Sequence, residues 1–429
     1  MERKIDLKLE EWRTRRSRLP LVVQGARQVG KTYSVLSFGR RCFDSVLYFN
    51  FESNSQLHKI FERDLSPKRI MKELSVISGE TIFEEKSLIF FDEIQACSKA
   101  LTALKYFAEE APGYAVIAAG SLLGVTINRD NSSYPVGKIE SVRMYPLDFE
   151  EYLWAMGQKN AAEIIRECFA TFSACSLHEA LLDHYHTYLY TGGMPRVVKE
   201  YAESTDLFMA DPVKSNINDA YMADIARYAG KAETVKIISV YSSLPAQLAK
   251  ENHKFMYNVI KSGARVADYA ASIDWLKAAG IVLSCHRVSE GRIPLGAYTD
   301  PSAFKLYHFD VGLLAAMTGL TAKSLTSETV TGSGFKGAMA ENYVAGSFSA
   351  SGYSLSYWES QGKAEVDFVL QTEKGIIPVE VKSGDRIRSR SLSEYVNRYS
   401  PPFSYRLSEK NFGNENNIRS VPLYAAFCI

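Results

Sequence analysis

Eight residues, Gly25-Ala26-Arg27-Gln28-Val29-Gly30-Lys31-Thr32, concentrate more chemistry than any other stretch of the chain. They read G-x-x-x-x-G-K-[ST] directly after the apolar run Leu21-Val22-Val23, and a helix can begin behind them. Gly25 and Gly30 let backbone N–H groups turn inward onto an anion, and the helix N-terminus adds unpaired donors and partial positive charge. In that setting Lys31 is expected to reach the β- and γ-phosphates of ATP, and the Thr32 hydroxyl to bind Mg²⁺.

A second element should then follow, and Ser87-Leu88-Ile89-Phe90-Phe91-Asp92-Glu93 has its form: an apolar strand that delivers two acids at its end. Asp92 is expected to hold Mg²⁺ and Glu93 to polarise the attacking water, a pairing that points to hydrolysis rather than binding alone. Ser121 ends the next apolar run, Tyr114 to Gly120, where it either faces the γ-phosphate or water, or is a serine in a tight turn. Val46-Leu47-Tyr48-Phe49 and Val142-Arg143-Met144-Tyr145 read as further strands. Helical patterns between the strands give an α/β order and a mostly parallel sheet, whose ligands sit at the strands' carboxyl ends.

The C-terminal part carries a second constellation. Glu365-Val366-Asp367-Phe368-Val369-Leu370 alternates, Gln371 to Gly375 turns, and Ile376-Ile377-Pro378-Val379-Glu380-Val381-Lys382 returns. A hairpin centred on Glu373-Lys374 sets Asp367 opposite Glu380, with Lys382 on the same face. Two carboxylates to hold a metal and a lysine to orient water suit Mg²⁺-dependent phosphodiester cleavage, with Glu341 as a fourth candidate. A register slip of one residue would turn Asp367 away and leave a solvated charged face.

At 429 residues the chain needs more than one domain, and 46% hydrophobic residues supply the cores. A net charge of +1 excludes a globally basic nucleic-acid binder. Six scattered cysteines without Cys-x-x-Cys spacing fit reduced thiols, the charged N-terminus does not read as a signal peptide, and no apolar run approaches the ~18 residues of a membrane span. A soluble cytoplasmic protein with no membrane partner is expected. Four segments follow: the strand-rich core over 1–150, a helical lid over 151–231, a winged-helix-like segment over 232–310, and a last α/β domain over 311–429. Within the lid, Gly192-Gly193-Met194-Pro195 is either an inter-helix turn or a contact that sets Pro195 on the nucleotide base, with Arg196 near phosphate. Arg265, Lys277 and Arg292 are the cations with which the winged-helix-like segment would touch DNA, the other reading being interdomain packing.

Together these segments resemble a bacterial and archaeal family of AAA-type P-loop ATPases with a C-terminal DUF4143 domain similar to restriction endonucleases. The likeness runs from about Leu19 to Lys382 and somewhat beyond. It is carried by Gly25 to Thr32, Phe91-Asp-Glu-Ile-Gln95, Pro146-Leu147 with Phe149-Glu150, Gly192 to Pro195, Tyr307 to Leu313, Glu341-Asn342, Tyr357-Trp358, Glu365 to Phe368 and Pro378 to Lys382. The resemblance implies an AAA/ASCE-type parallel sheet and a PD-(D/E)XK nuclease-like triad of Asp367, Glu380 and Lys382. Two positions depart from the family pattern. Gly137-Lys138 stands where Gly-Arg is expected, so a trans-acting finger in a homo-oligomer would fall to Lys138 or Arg143, and Leu122-Leu123 follows Ser121 in place of a polar run. The expected function is ATP hydrolysis coupled to a metal-dependent, DNA-associated nuclease-like domain. The alternative is a nucleotide-gated switch whose last domain binds nucleic acid or partners without cutting.

Overall fold

The computed structural model describes residues 1–121, 123–125, 135–250, 253–322, 333–360, 364–383 and 390–429. It divides into two compact units, residues 2–145 with 278–280, and residues 146–277 and 281–429 with Met1.

The first unit holds a five-stranded, all-parallel sheet of β1 (Leu21–Gln24), β2 (Ser45–Asn50), β3 (Ser87–Asp92), β4 (Ala115–Gly120) and β5 (Glu140–Arg143), in the order β2-β3-β4-β1-β5. Every residue of β3 and β4 is buried, as strands covered on both faces require. The helices Gln56–Arg63, Pro67–Ser78 and Ser98–Glu110 bury Phe61, Ile70, Leu74, Leu104 and Phe107 against Phe49, Phe51 and Phe91. Phe91 meets Phe51, Phe61 and Phe107 edge to face, with centroids 5.7 to 6.1 Å apart. That packing fixes β3, and with it the two acids at its end.

The second unit is helical from Phe149 to Leu248, as its sequence pattern predicts, and then builds two sheets. Strands β6 (Val282–Val288), β7 (Thr299–His308), β8 (Ser356–Ser360) and β9 (Ala364–Val366) form one, in the order β7-β6-β8-β9. Strands β10 (Phe368–Thr372), β11 (Gly375–Val381), β12 (Ser404–Ser408), β13 (Gly413–Glu415) and β14 (Ile418–Pro422) form the other, in the order β10-β11-β12-β14-β13. Within the segment expected to be winged-helix-like, the antiparallel pair β6–β7 does not stand free as a wing, because β6 also pairs with β8 in parallel. Segments 232–310 and 311–429 thus share a sheet. Of the three cations expected on this segment, Lys277 lies 3.4 Å from Asp274 and Arg292 lies 3.1 Å from Glu290, while Arg265 precedes the helix Val266–Ala278.

The Gly192-Gly193 turn is held inside this unit. The amide of Gly193 donates to Asp310 Oδ2 at 2.8 Å, and its carbonyl accepts from the Leu147 amide at 2.7 Å. Pro195 follows as the first residue of the helix Pro195–Ser204, where the missing N–H costs nothing. A Cβ on Gly193 would meet the Leu147 carbonyl oxygen at 1.9 Å. Gly193→Ala should therefore destabilise the second unit by about 2–4 kcal/mol, read as a lower unfolding temperature. An unchanged melting curve would show that the turn yields without cost.

Candidate functional site

The loop between β1 and the helix Lys31–Cys42 depends on its two glycines. Gly25 has φ 151°, and a Cβ there would meet the Met144 carbonyl oxygen at 2.2 Å; Gly30 caps the helix at φ 98°. Backbone from the end of β5 therefore lies directly against the loop, and a side chain would push it away. Lys31 is 6% exposed, and its Nζ donates to the carbonyl oxygens of Gly25 and Ala26 at 2.9 and 2.8 Å. Burial lowers the ammonium to about 8, with Glu93 and Asp92 pulling it back up. The lysine is folded onto its own loop, in a place where a phosphate could replace those carbonyls as its partner.

Thr32, the next residue, donates from Oγ1 to Asp92 Oδ2 at 2.8 Å. The register of β2 with β3 sets Asn50 beside Asp92, and Tyr48, two residues earlier, donates its hydroxyl to the same carboxylate oxygen at 2.9 Å. Glu93 follows with φ 50° and accepts from Gln95 Nε2 on its Oε2. Ser121 lies just beyond β4, 5% exposed, and its Oγ is buried with no hydrogen-bond partner. Gln24, Gly25, Gly120, Ser121 and Arg143 line one small hollow at the strand ends. A hydroxyl facing a carboxylate is an all-oxygen donor set that fits Mg²⁺, and the orphaned Ser121 hydroxyl fits a group arriving from outside the chain.

In the second unit the hairpin has the register that the turn implies. Thr372 pairs with Gly375 and Phe368 with Val379, so Asp367 falls opposite Glu380. The alternating run does not stay in one sheet, however. It breaks at Asp367, between β9 and β10, where Asp367 Oδ2 accepts the Val381 amide at 2.7 Å in place of a ladder bond. Glu380 is 3% exposed; its Oε1 lies 2.5 Å from Lys382 Nζ, and its Oε2 is buried without a partner. Desolvation and then the Glu380 charge push the Asp367 carboxyl well above the usual carboxylate range. Burial alone would lower Lys382, but the Asp367 and Glu380 charges reverse this and raise it.

Glu341, on the helix Ser333–Ala350, acts on this cluster through its charge and is itself held by residues that local sequence pattern does not reveal. Lys305 Nζ on β7 donates to Glu341 Oε1 at 2.8 Å and lies 2.7 Å from Glu365 Oε1. Tyr307 donates to Glu341 Oε1, and His253 Nδ1 lies 2.7 Å from Oε2. Desolvation opposes a charged Glu341, but Lys305 beside it more than compensates and holds the carboxyl below its ordinary value. Among the described residues, no group of three or more His, Cys, Asp or Glu side chains is arranged to hold a metal ion. The two facing acids, with Glu380 Oε2 unpartnered, are an oxygen donor pair whose chemistry fits a divalent cation.

Comparison with known families finds matches in both units. Residues 17–153 match an AAA domain, and residues 336–425 match a domain of unknown function, DUF4143. The chain joins an AAA domain to a DUF4143 domain. Between them, residues 182–324 match a further domain of unknown function, DUF8612. No curated protein matches at a significant level. Among solved structures, the chain is similar to a Walker-type ATPase of Pyrococcus abyssi at 15% identity and a TM-score of 0.45, covering 74% of this chain and 95% of that one. It is also similar to the ORC2 protein of Aeropyrum pernix in its ADPNP-ADP complexes, at 12% identity and a TM-score of 0.34, covering 76% and 93%. Likenesses of this size bear on neither ligand nor partner.

The AAA domain thus brings Gly25, Gly30, Lys31, Thr32, Asp92, Glu93 and Ser121 to the carboxyl end of one sheet. Sequence reasoning missed Tyr48 as a partner of Asp92. Of the two finger candidates, Lys138 is paired with Glu109 at 3.0 Å, while Arg143 is exposed at the end of β5. Leu122, one of the departures noted after Ser121, lies outside the described residues. The DUF4143 domain brings together Asp367, Glu380 and Lys382, and the Glu341 charge acts on both Asp367 and Lys382. No helix among the described residues is long and apolar enough to cross a membrane.

Proposed function

We propose that the chain is a Mg²⁺-dependent ATPase whose DUF4143 domain carries a divalent-metal site for phosphodiester cleavage of DNA. What supports the first half is the convergence of the phosphate loop, Asp92, Glu93 and Ser121 on one sheet edge. Thr32 and Asp92 would hold Mg²⁺, which when bound neutralises charge developing on the β- and γ-phosphates. Lys31 exchanges the Gly25 and Ala26 carbonyls for phosphate oxygens, and Ser121 donates to the γ-phosphate. Glu93 takes the proton of water as the water oxygen bonds to the γ-phosphorus. The bond to the β–γ bridging oxygen breaks, and ADP leaves with its electron pair.

The second half rests on Asp367 facing Glu380 beside Lys382. The acids would hold the metal, and Lys382, released from Glu380, would orient the water. Glu93→Gln should bind ATP with unchanged affinity and hydrolyse it roughly 100-fold or more slowly, since losing a general base typically costs that much. Equal turnover in the two proteins would remove Glu93 from its role. DNA nicking in Mg²⁺ or Mn²⁺ should be lost in Lys382→Ala. If wild type leaves DNA intact while still binding metal, the DUF4143 domain is a binding module and the nuclease half fails.

A further inference from the structure

The side chain of Gln95 bridges two parts of the AAA site that belong to different strands. Glu93, in its left-handed conformation, opens a 3-10 turn over Ile94–Ala96. The Ala96 amide closes that turn on the Glu93 carbonyl at 3.0 Å. This brings Gln95 back beside Glu93, where its Nε2 donates to Glu93 Oε2. The other end of the same amide lies against β4, since a Cβ on Gly120 would meet Gln95 Oε1 at 2.3 Å. Gln95 Oε1 is buried with no hydrogen-bond partner, as is Ser121 Oγ one residue beyond Gly120.

We propose that Gln95 is a positioning residue for ATP hydrolysis, fixing the Glu93 carboxylate for the attacking water and tying it to the end of β4 where Ser121 meets the γ-phosphate. The inference rests on the reading of the chain as an ATPase. A glutamate side chain rotates about three bonds, and a general base acts only when held within hydrogen-bond reach of its proton. The Gln95 amide removes that freedom by occupying one carboxylate oxygen and leaving the other to receive the proton. Its carbonyl end, seated where Gly120 has no side chain, makes the position of Glu93 follow the position of β4. A Cβ at Gly120 would displace both Gln95 Oε1 and the Leu123 side chain, so the glycine is what lets the amide reach the end of β4.

Single-turnover hydrolysis and ATP affinity, measured on the full chain, test this in wild type, Gln95→Ala, Gln95→Glu, Glu93→Gln and the Gln95→Ala/Glu93→Gln double variant. Gln95→Ala should slow hydrolysis about tenfold with ATP affinity unchanged, the loss of one hydrogen bond to a charged group. Gln95→Glu keeps the shape but replaces the donor with a second carboxylate, and should be at least as slow. In the Glu93→Gln background, Gln95→Ala should cost nothing more, because it acts through Glu93. A wild-type rate in either single Gln95 variant, or a further tenfold loss in the double variant, would overturn the inference and leave the ATPase reading intact. A wild type that binds ATP without hydrolysing it would sink the ATPase reading and take the inference with it.

Discussion

Lys31→Ala is expected to weaken ATP binding roughly thirty-fold to several-thousand-fold, the usual cost of removing one partner from a buried, charge-assisted contact. The ammonium is almost fully buried and already hydrogen-bonded to the loop, so the phosphates gain a partner whose desolvation has been met in the folded chain. The same burial gives a pH signature. Lys31 titrates at about 8 in the nucleotide-free protein, and anionic phosphates favour its protonated form, so binding takes up a proton above that pH. Wild-type affinity should fall about tenfold per pH unit as pH rises beyond 8, while Lys31→Ala stays flat. Stability moves the other way. The folded value lies below the ordinary 10.5, so charged Lys31 opposes folding; that cost is fully present below pH 8 and fades between 8 and 10.5. The alanine variant should consequently unfold at the same temperature as wild type, or higher, at pH 7. Calorimetric titration with ATP at pH 7, 8 and 9 checks the first sign and thermal unfolding from pH 7 to 10 the second, and equal ATP affinities for the two proteins at pH 7 would end the phosphate-loop reading.

What was legible in the sequence was local. The phosphate loop is eight consecutive residues with glycines where close backbone approach needs them, and Asp92-Glu93 stands at the end of an unbroken apolar run. The hairpin register was also legible, because Glu373-Lys374 fixes it through a two-residue turn. Tyr48 was not, since its contact with Asp92 exists only through the parallel pairing of β2 with β3. The same holds for the support of Glu341, where Lys305, Tyr307 and His253 lie 36, 34 and 88 residues away and leave no periodic trace. Glu365 to Leu370 reads as one alternating strand, yet the chain changes sheets at Asp367. Alternation reports which face a residue takes, and cannot report that a carboxylate accepts a backbone amide in place of the ladder. Segment 232–310 read as winged-helix-like, without the parallel partner of its β6–β7 pair, for a related reason. A parallel partner arriving from far along the chain, here β8, has no short-range signature.

Asp367→Asn should raise the unfolding temperature of the metal-free chain by a few degrees, on the order of 1–2 kcal/mol, and abolish its response to divalent metal. The carboxamide oxygen of the substituted side chain can still accept the Val381 amide, so the bend between β9 and β10 keeps its hydrogen bond. What is lost is a carboxylate forced against Glu380, whose own Oε2 has no partner. Glu380→Gln should do the opposite to the metal-free chain, because it strips Lys382 of a 2.5 Å ion pair in a partly buried position. Thermal unfolding of the full chain without nucleotide, in chelator and then in Mg²⁺ or Mn²⁺, separates the cases. Without nucleotide to complete the Thr32–Asp92 site, metal should stabilise wild type and leave both variants unmoved, since each removes one of the two acids, Asp367 and Glu380, that would hold it. A wild type indifferent to metal, with Asp367→Asn less stable than it, would make the constellation a structural charge cluster. Opposite signs for the two neutral substitutions would show that Lys382 balances Glu380 and leaves Asp367 unbalanced. Stabilisation of wild type by metal, lost in both variants, would show that a cation from solution balances the second acid.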